Sequence, residues 1–126
     1  MRHTFAHDAV VAMEAGGDIR APGGAVTVAL CGTWQHEPPC PLAAHHTTAE
    51  RTAQSDEVRL RVLFAAEPAA EARIRRQIET ALSSSGLGAG FQGPDGLRTR
   101  WQLREAGPSS VRAEEADHAA RLSRPD

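Results

Sequence analysis

The chain is predicted to be an α+β protein: a small open antiparallel sheet of three to four strands, covered on one face by one amphipathic helix, with a Cys/His loop and a flexible C-terminal tail. Three observations predict it. Residues 25–33, 58–65 and 97–104 alternate side chains at the period of a strand. Residues 68–84 instead place Ala70, Ile74, Ile78, Ala81 and Leu82 at spacings of three and four, the stripe of a helix that buries one side. Glycine and proline cluster between these segments and punctuate the joins. A sheet whose strands are apolar on one face needs one helical layer to cover it.

Within residues 3–13, Phe5, Ala9, Val11 and Met13 share one parity, which reads as a strand. A helix is the alternative, because Phe5, Ala9 and Met13 also fall on one helical stripe and His3 stands four residues before His7. On the strand reading both histidines are expected to be exposed. Gly16-Gly17-Asp18 and Pro22-Gly23-Gly24 mark a turn-rich connection. In residues 25–33, Val26, Val28 and Leu30 point one way and Thr27, Ala29 and Cys31 the other. Residues 47–57 read as a polar connection. Val58, Leu60, Val62 and Phe64 then form one face of a strand, with Arg59 and Arg61 on the other. Pro68 suits the first position of the helix that follows. The outer face of that helix carries Glu71, Arg75 and Glu79 as opposite charges four apart, and Gly86 is a natural stop. Residues 86–96 hold five glycines and one proline and read as a loop. In 97–104, Leu97, Thr99, Trp101 and Leu103 face inward and Arg98, Arg100, Gln102 and Arg104 outward. The expected organisation is one domain over 1–106 and a tail over 107–126, with a fraying helix at 111–122.

Composition narrows the classes. A chain of 126 residues forms one domain, and with three Phe, two Trp and no Tyr its core must rest on Val, Leu, Ile and Ala. A hydrophobic content of 40% with 24% charged residues fits a soluble globular protein. A net charge of −2 speaks against binding nucleic acid through overall charge. All 14 basic residues are Arg, and Lys and Asn are absent. Such usage matches a GC-rich coding sequence, so an Arg here is not by itself a chosen guanidinium. No apolar run reaches membrane-spanning length, and the N-terminus lacks the pattern of a secretory signal. A cytoplasmic location with no membrane partner is expected, where two Cys serve as thiols or metal ligands more often than as a disulfide.

The chemistry concentrates in one stretch, Cys31-x4-His36-x3-Cys40-x4-His45-His46, which holds both cysteines and three of the six histidines. Thiolate and imidazole are the donors zinc takes in a tetrahedron, at about 2.3 and 2.0 Å. Pro38, Pro39 and Pro41 limit the freedom such a loop loses on closing around an ion. The candidate ligands are Cys31, His36, Cys40 and one of His45 or His46, with the remaining histidine as a neighbour, a base or a replacement ligand. Zn2+ fits this donor set best, although other transition metals share the ligand preference. The motif lacks the paired Cys-x2-Cys of common zinc fingers. An idle surface loop, a Cys31–Cys40 disulfide, and a thiol hydrolase with Cys40 as nucleophile and His36 or His45 as base are the competing readings.

A second feature is arginine. Arg59, Arg61, Arg98, Arg100 and Arg104 all take the outward parity of two strands. If those strands are neighbours, their shared face can bind phosphate or an acidic partner, form a dimer surface, or meet the acidic stretch Glu114, Glu115 and Asp117 of the tail. The expected function is a small metal-binding protein with a structural or sensory role. The alternatives are a module binding nucleic acid or an acidic protein through the Arg face, and a thiol- or metal-dependent hydrolase.

Overall fold

The computed structural model describes residues 2–31, 44–52, 56–92 and 96–123. In chain order these form β1 (His3–Met13), α1 (Ala21–Cys31), β2 (Ala44–Arg51), β3 (Glu57–Ala66), α2 (Glu71–Ser84), β4 (Phe91–Gln92), β5 (Arg98–Thr99), β6 (Trp101–Ser109) and α3 (Ala116–Ser123). Single 3-10 turns, Pro68–Ala70 and Ala113–Glu115, lead into α2 and α3. The main sheet has the order β2-β3-β1-β6 with every neighbouring pair antiparallel, while β4 and β5 make a small separate ribbon. Because β1 and β2 both oppose β3, they run parallel to each other with β3 inserted between them. A βαββαβ chain wound this way is the split βαβ, or ferredoxin-like, topology. The α+β class and the open antiparallel sheet of four strands are as expected.

The apolar face of the sheet carries alternate residues of each strand. Phe5 opposes Phe64, Ala9 opposes Leu60 and Val11 opposes Val58, so β1 and β3 bury one parity together. This register settles the first segment as a strand. The core comprises these residues with Val62, Trp101, Ala25, Val26 and Leu30 of α1, and Ile74, Ile78, Ala81 and Leu82 of α2.

Two helices cover this face, not one. Residues 25–31, expected as strand, complete α1. The alternation of Val26, Val28 and Leu30 misled because Ala25 and Ala29 of the other parity are apolar as well. The buried set of Ala21, Ala25, Val26 and Leu30 has helical spacing. Gly23, Gly24 and two valines are poor helix formers, but β1 and β2 are parallel and need a crossover, which the helix supplies. Gly23 has a packing role: a methyl group there would stand 3.2 Å from Thr47 Cγ2 of β2.

β2 occupies a stretch expected as connection. Its core-facing residues include Thr47 and Ala49, too weakly apolar to signal a strand; pairing from Ala44↔Ala65 to Arg51↔Val58 creates it. The expected strand at 97–104 is displaced. Arg98 and Thr99 join the ribbon, Leu97 is exposed rather than inward, and β6 begins at Trp101 and continues to Ser109. β6 accommodates Pro108 because it is an edge strand, where a missing N–H leaves no ladder bond unmade. A bulge in its pairing with β1, between Val10 and Val11, shifts the register.

α2 matches its expected span and stripe. At its end Trp101 donates from Nε1 to the Leu82 carbonyl at 2.9 Å, meeting an acceptor that the helix itself leaves open. Gly86 follows directly, and a methyl group there would lie 2.5 Å from Trp101 Cδ2. The glycine is required by the indole resting on it, not by a left-handed cap. The C-terminal helix expected in the tail is present as α3. It packs on the opposite face of the sheet, where Thr4 Oγ1 donates to the Ala119 carbonyl at 2.8 Å. Among the described residues no helix is long and apolar enough to cross a membrane.

Candidate functional site

Of the Cys/His motif, His36 and Cys40 lie outside the described residues, Cys31 closes α1, and His45 and His46 open β2. Adjacent strand residues point to opposite faces. His45 faces α1, where its Nε2 lies 3.1 Å from Thr27 Oγ1. That hydroxyl donates to the Gly23 carbonyl at 3.2 Å, which leaves its oxygen to accept from the imidazole. With Gly23 against Thr47 and Thr27 against His45, α1 runs antiparallel to β2, and Cys31 comes one turn beyond Thr27 toward the start of the strand. His46 faces the other side of the sheet and stacks on His118 of α3, with ring centres 4.3 Å apart. Its pKa sits below the ordinary histidine value, first because packing removes water and then because His118 is adjacent. Among the described residues no three His, Cys, Asp or Glu side chains stand together as a metal group.

The five arginines do not share one face. β1 lies between β3 and β6. Arg98 donates to the Gly90 carbonyl at 3.0 Å, and Arg100 pairs with Glu14 at 3.2 Å beside the ribbon. Arg59 and Arg61 remain on the face of β3 opposite α1 and α2, the face on which α3 packs. There Arg61 meets the acidic tail: Nε and Nη2 each lie 2.7 Å from a different oxygen of Glu115. Its Nη1 reaches Asp8 at 2.9 Å and Ser109 Oγ at 3.0 Å, and Nη2 also donates to the Ser110 carbonyl at 2.6 Å. The side chain is only 10% exposed, so its charge is held inside the fold and met there. Glu115 in turn is pulled down to about 2, chiefly by the Arg61 hydrogen bonds. It also accepts from the Arg112 main-chain N–H at 2.8 Å, capping the turn that starts α3.

Beside this clasp the same sheet face is hollow. One depression of about 440 Å³ is lined by Val10, Arg59, Glu105, Gly107 and Arg112, with Asp8. A second of about 340 Å³ adjoins it, sharing Asp8, Arg59 and Arg112 and adding Thr48 and Glu50. The Arg59 side chain makes no hydrogen bond or ion pair among the described residues, although Glu50 stands opposite it in the ladder. Arg59 and Arg112, with the carboxylates Asp8, Glu50 and Glu105, thus border one open groove, and the Arg61–Glu115 pair closes its second lobe.

A further polar cluster lies under α2. His7, expected to be exposed, is 1% exposed. Its Nε2 stands 2.8 Å from Glu79 Oε2, close enough for attraction but without the alignment of a hydrogen bond. Nδ1 lies 3.0 Å from Arg75 Nη1, which also donates to the Ala6 carbonyl at 2.6 Å. Arg75 pairs with Glu71 at 2.8 Å and spreads over the rings of Phe5 and Phe64. An arginine donating to Nδ1 requires the neutral imidazole, and burial pushes the His7 pKa below its usual value. The parity that buries Phe5 and Ala9 includes His7, the signal that could have placed it inside. With one ring nitrogen facing a cation and the other a carboxylate, His7 is a structural relay between β1 and α2.

Comparison with protein-family models, curated proteins and solved structures returns no match. Topology alone does not assign an activity, because unrelated functions share this fold. The function must be argued from these sites.

Proposed function

We propose that this protein is a small-molecule binding module that takes an anionic ligand in the groove bordered by Arg59 and Arg112. The observation that carries this reading is the contrast between two neighbouring arginines. Arg61 is saturated by Glu115, Asp8, the Ser109 hydroxyl and the Ser110 carbonyl, whereas Arg59, two residues away on the same face, has no ion-pair partner among the described residues and borders an open hollow. A guanidinium at the wall of a groove binds carboxylate or phosphate in a two-pronged mode. Glu50 and Glu105 on the same walls favour a compact ligand carrying donor groups beside its anion. They disfavour a polyanion, so nucleic acid is the weaker partner class for this face.

The test is isothermal titration with inorganic phosphate and with succinate, at low and at raised salt. Binding that weakens with salt and is lost in Arg59→Gln supports the reading. No heat from either probe with the folded chain removes it.

A second reading follows from His45. Its position on the α1 side, beside Thr27 and one turn from Cys31, supports zinc held by Cys31, His36, Cys40 and His45 as a structural or sensory site, with His46 standing aside. Metal analysis of untagged protein tests it: a mole of zinc per mole of chain, lost in Cys40→Ser, is the expected result, and metal-free protein after dialysis against zinc would end it.

A further inference from the structure

We propose that the groove selects a zwitterion, a carboxylate and an ammonium joined by a short aliphatic spacer, laid across the strands with its carboxylate on Arg59 and its ammonium on Glu105. The inference rests on the anion-binding reading of the groove and adds the second charge, the orientation and the length of the ligand. The ladder carries it. Glu50 pairs with Arg59, Arg59 with Val10, and Val10 with Glu105, so these four residues form one row across β2, β3, β1 and β6. Residues directly opposite in antiparallel strands point to the same side of the sheet. This row takes the parity opposite to Ala9, Val11 and Leu60 of the core. From β3 to β6 it places a cation, an apolar side chain and an anion in line. Neighbouring strands lie about 4.8 Å apart, so the backbones of Arg59 and Glu105 are about 10 Å apart. A spacer of a few methylenes over Val10 fills what their side chains leave.

The larger depression decides which carboxylate meets the ammonium. It is lined by Arg59, Arg112 and Val10 and reaches Glu105 but not Glu50. Asp8 borders it as well, but its carboxylate is engaged by Arg61 at 2.9 Å. Glu105 is exposed, and its side chain makes no hydrogen bond or ion pair among the described residues. A ligand carrying only negative charge meets Glu105 as a repulsion, whereas an ammonium turns the same carboxylate into a partner.

Gly107 makes the room. It pairs with Asp8 in the next row, on the same side as Val10 and Glu105, and a methyl group there would meet nothing within 4 Å. The missing side chain leaves the hollow open beside Val10, where the spacer lies.

The experiment titrates the wild-type chain by calorimetry at low salt with 5-aminopentanoate, pentanoate, glycine and succinate. 5-Aminopentanoate is expected to bind more tightly than pentanoate by roughly three- to fivefold, the scale of an ion pair open to solvent. It should also exceed glycine, whose two charges stand too close together to reach both residues. Glu105→Gln should erase the advantage over pentanoate while succinate still binds. Gly107→Leu, checked for native circular dichroism, should weaken 5-aminopentanoate by filling the hollow. Equal affinity for 5-aminopentanoate and pentanoate, glycine binding as tightly, an advantage that survives Glu105→Gln, or binding untouched by a folded Gly107→Leu would each overturn the zwitterion. In those cases succinate binding that is lost in Arg59→Gln leaves the anion groove standing. No heat from any of these probes or from phosphate removes both.

Discussion

Arg61 and Glu115 meet on the side of the sheet opposite α1 and α2 through two parallel contacts, each 2.7 Å long. One end of this pair belongs to the third strand and the other to the turn that starts α3. The pair therefore decides whether the C-terminal segment is a tail or part of the fold. Glu115→Gln keeps the size and removes the charge. With the pair partly open to solvent, the expected loss is about 1–2 kcal/mol in urea unfolding. Amide exchange should rise first in α3. Unchanged exchange at 116–123 would show that the helix is held by other contacts.

The same carboxylate sets an acid limit. Its folded-state pKa of about 2 lies below the ordinary 4.5. A depressed carboxylate contributes stability that is complete above the ordinary value and is lost as pH falls from there toward the folded value. Stability measured by urea unfolding should therefore decline below about pH 4.5 in the wild type, with a shallower decline in Glu115→Gln. Identical acid slopes would contradict the assignment.

His7 sets a second window, higher in pH. Burial lowers its pKa from 6.5, so the unfolded chain binds a proton more readily than the folded one as pH drops through that range. Stability is expected to fall as the solution passes below pH 6.5, and His7→Gln should flatten that part of the curve. Unfolding midpoints compared on either side of that pH, for both chains, give the answer directly.

Gly86 and Trp101 provide a packing prediction. A methyl group at position 86 would meet the indole at 2.5 Å, so Gly86→Ala must displace the ring that caps Leu82. Overpacking of this kind costs about 1–3 kcal/mol. Gly88→Ala serves as the comparison, because nothing lies within 4 Å there and only its positive φ of 61° opposes the change. If both variants lose the same stability, the indole contact has no special weight.

The sequence by itself determined the class, the central strand β3 and α2, and it favoured a strand for β1 while leaving a helix open. Phe5, Val11, Val58, Leu60 and Phe64 alternate, and Ile74, Ile78 and Leu82 recur at helical spacing, because each segment buries one face against a large apolar layer. It also marked Cys31, His36, Cys40, His45 and His46 as donors by residue type and spacing, and raised the meeting of outward arginines with the acidic tail as one possibility. Only the tertiary structure decided the rest. α1 has apolar residues on every side, so its periodicity was silent until the parallel course of β1 and β2 required a crossover. β2 exists because β3 offers it a ladder, and α3 docks because Arg61 reaches Glu115. His46 meets His118 for the same reason. Such pairings join residues far apart in the chain, and local pattern carries no record of which distant partner a side chain will find.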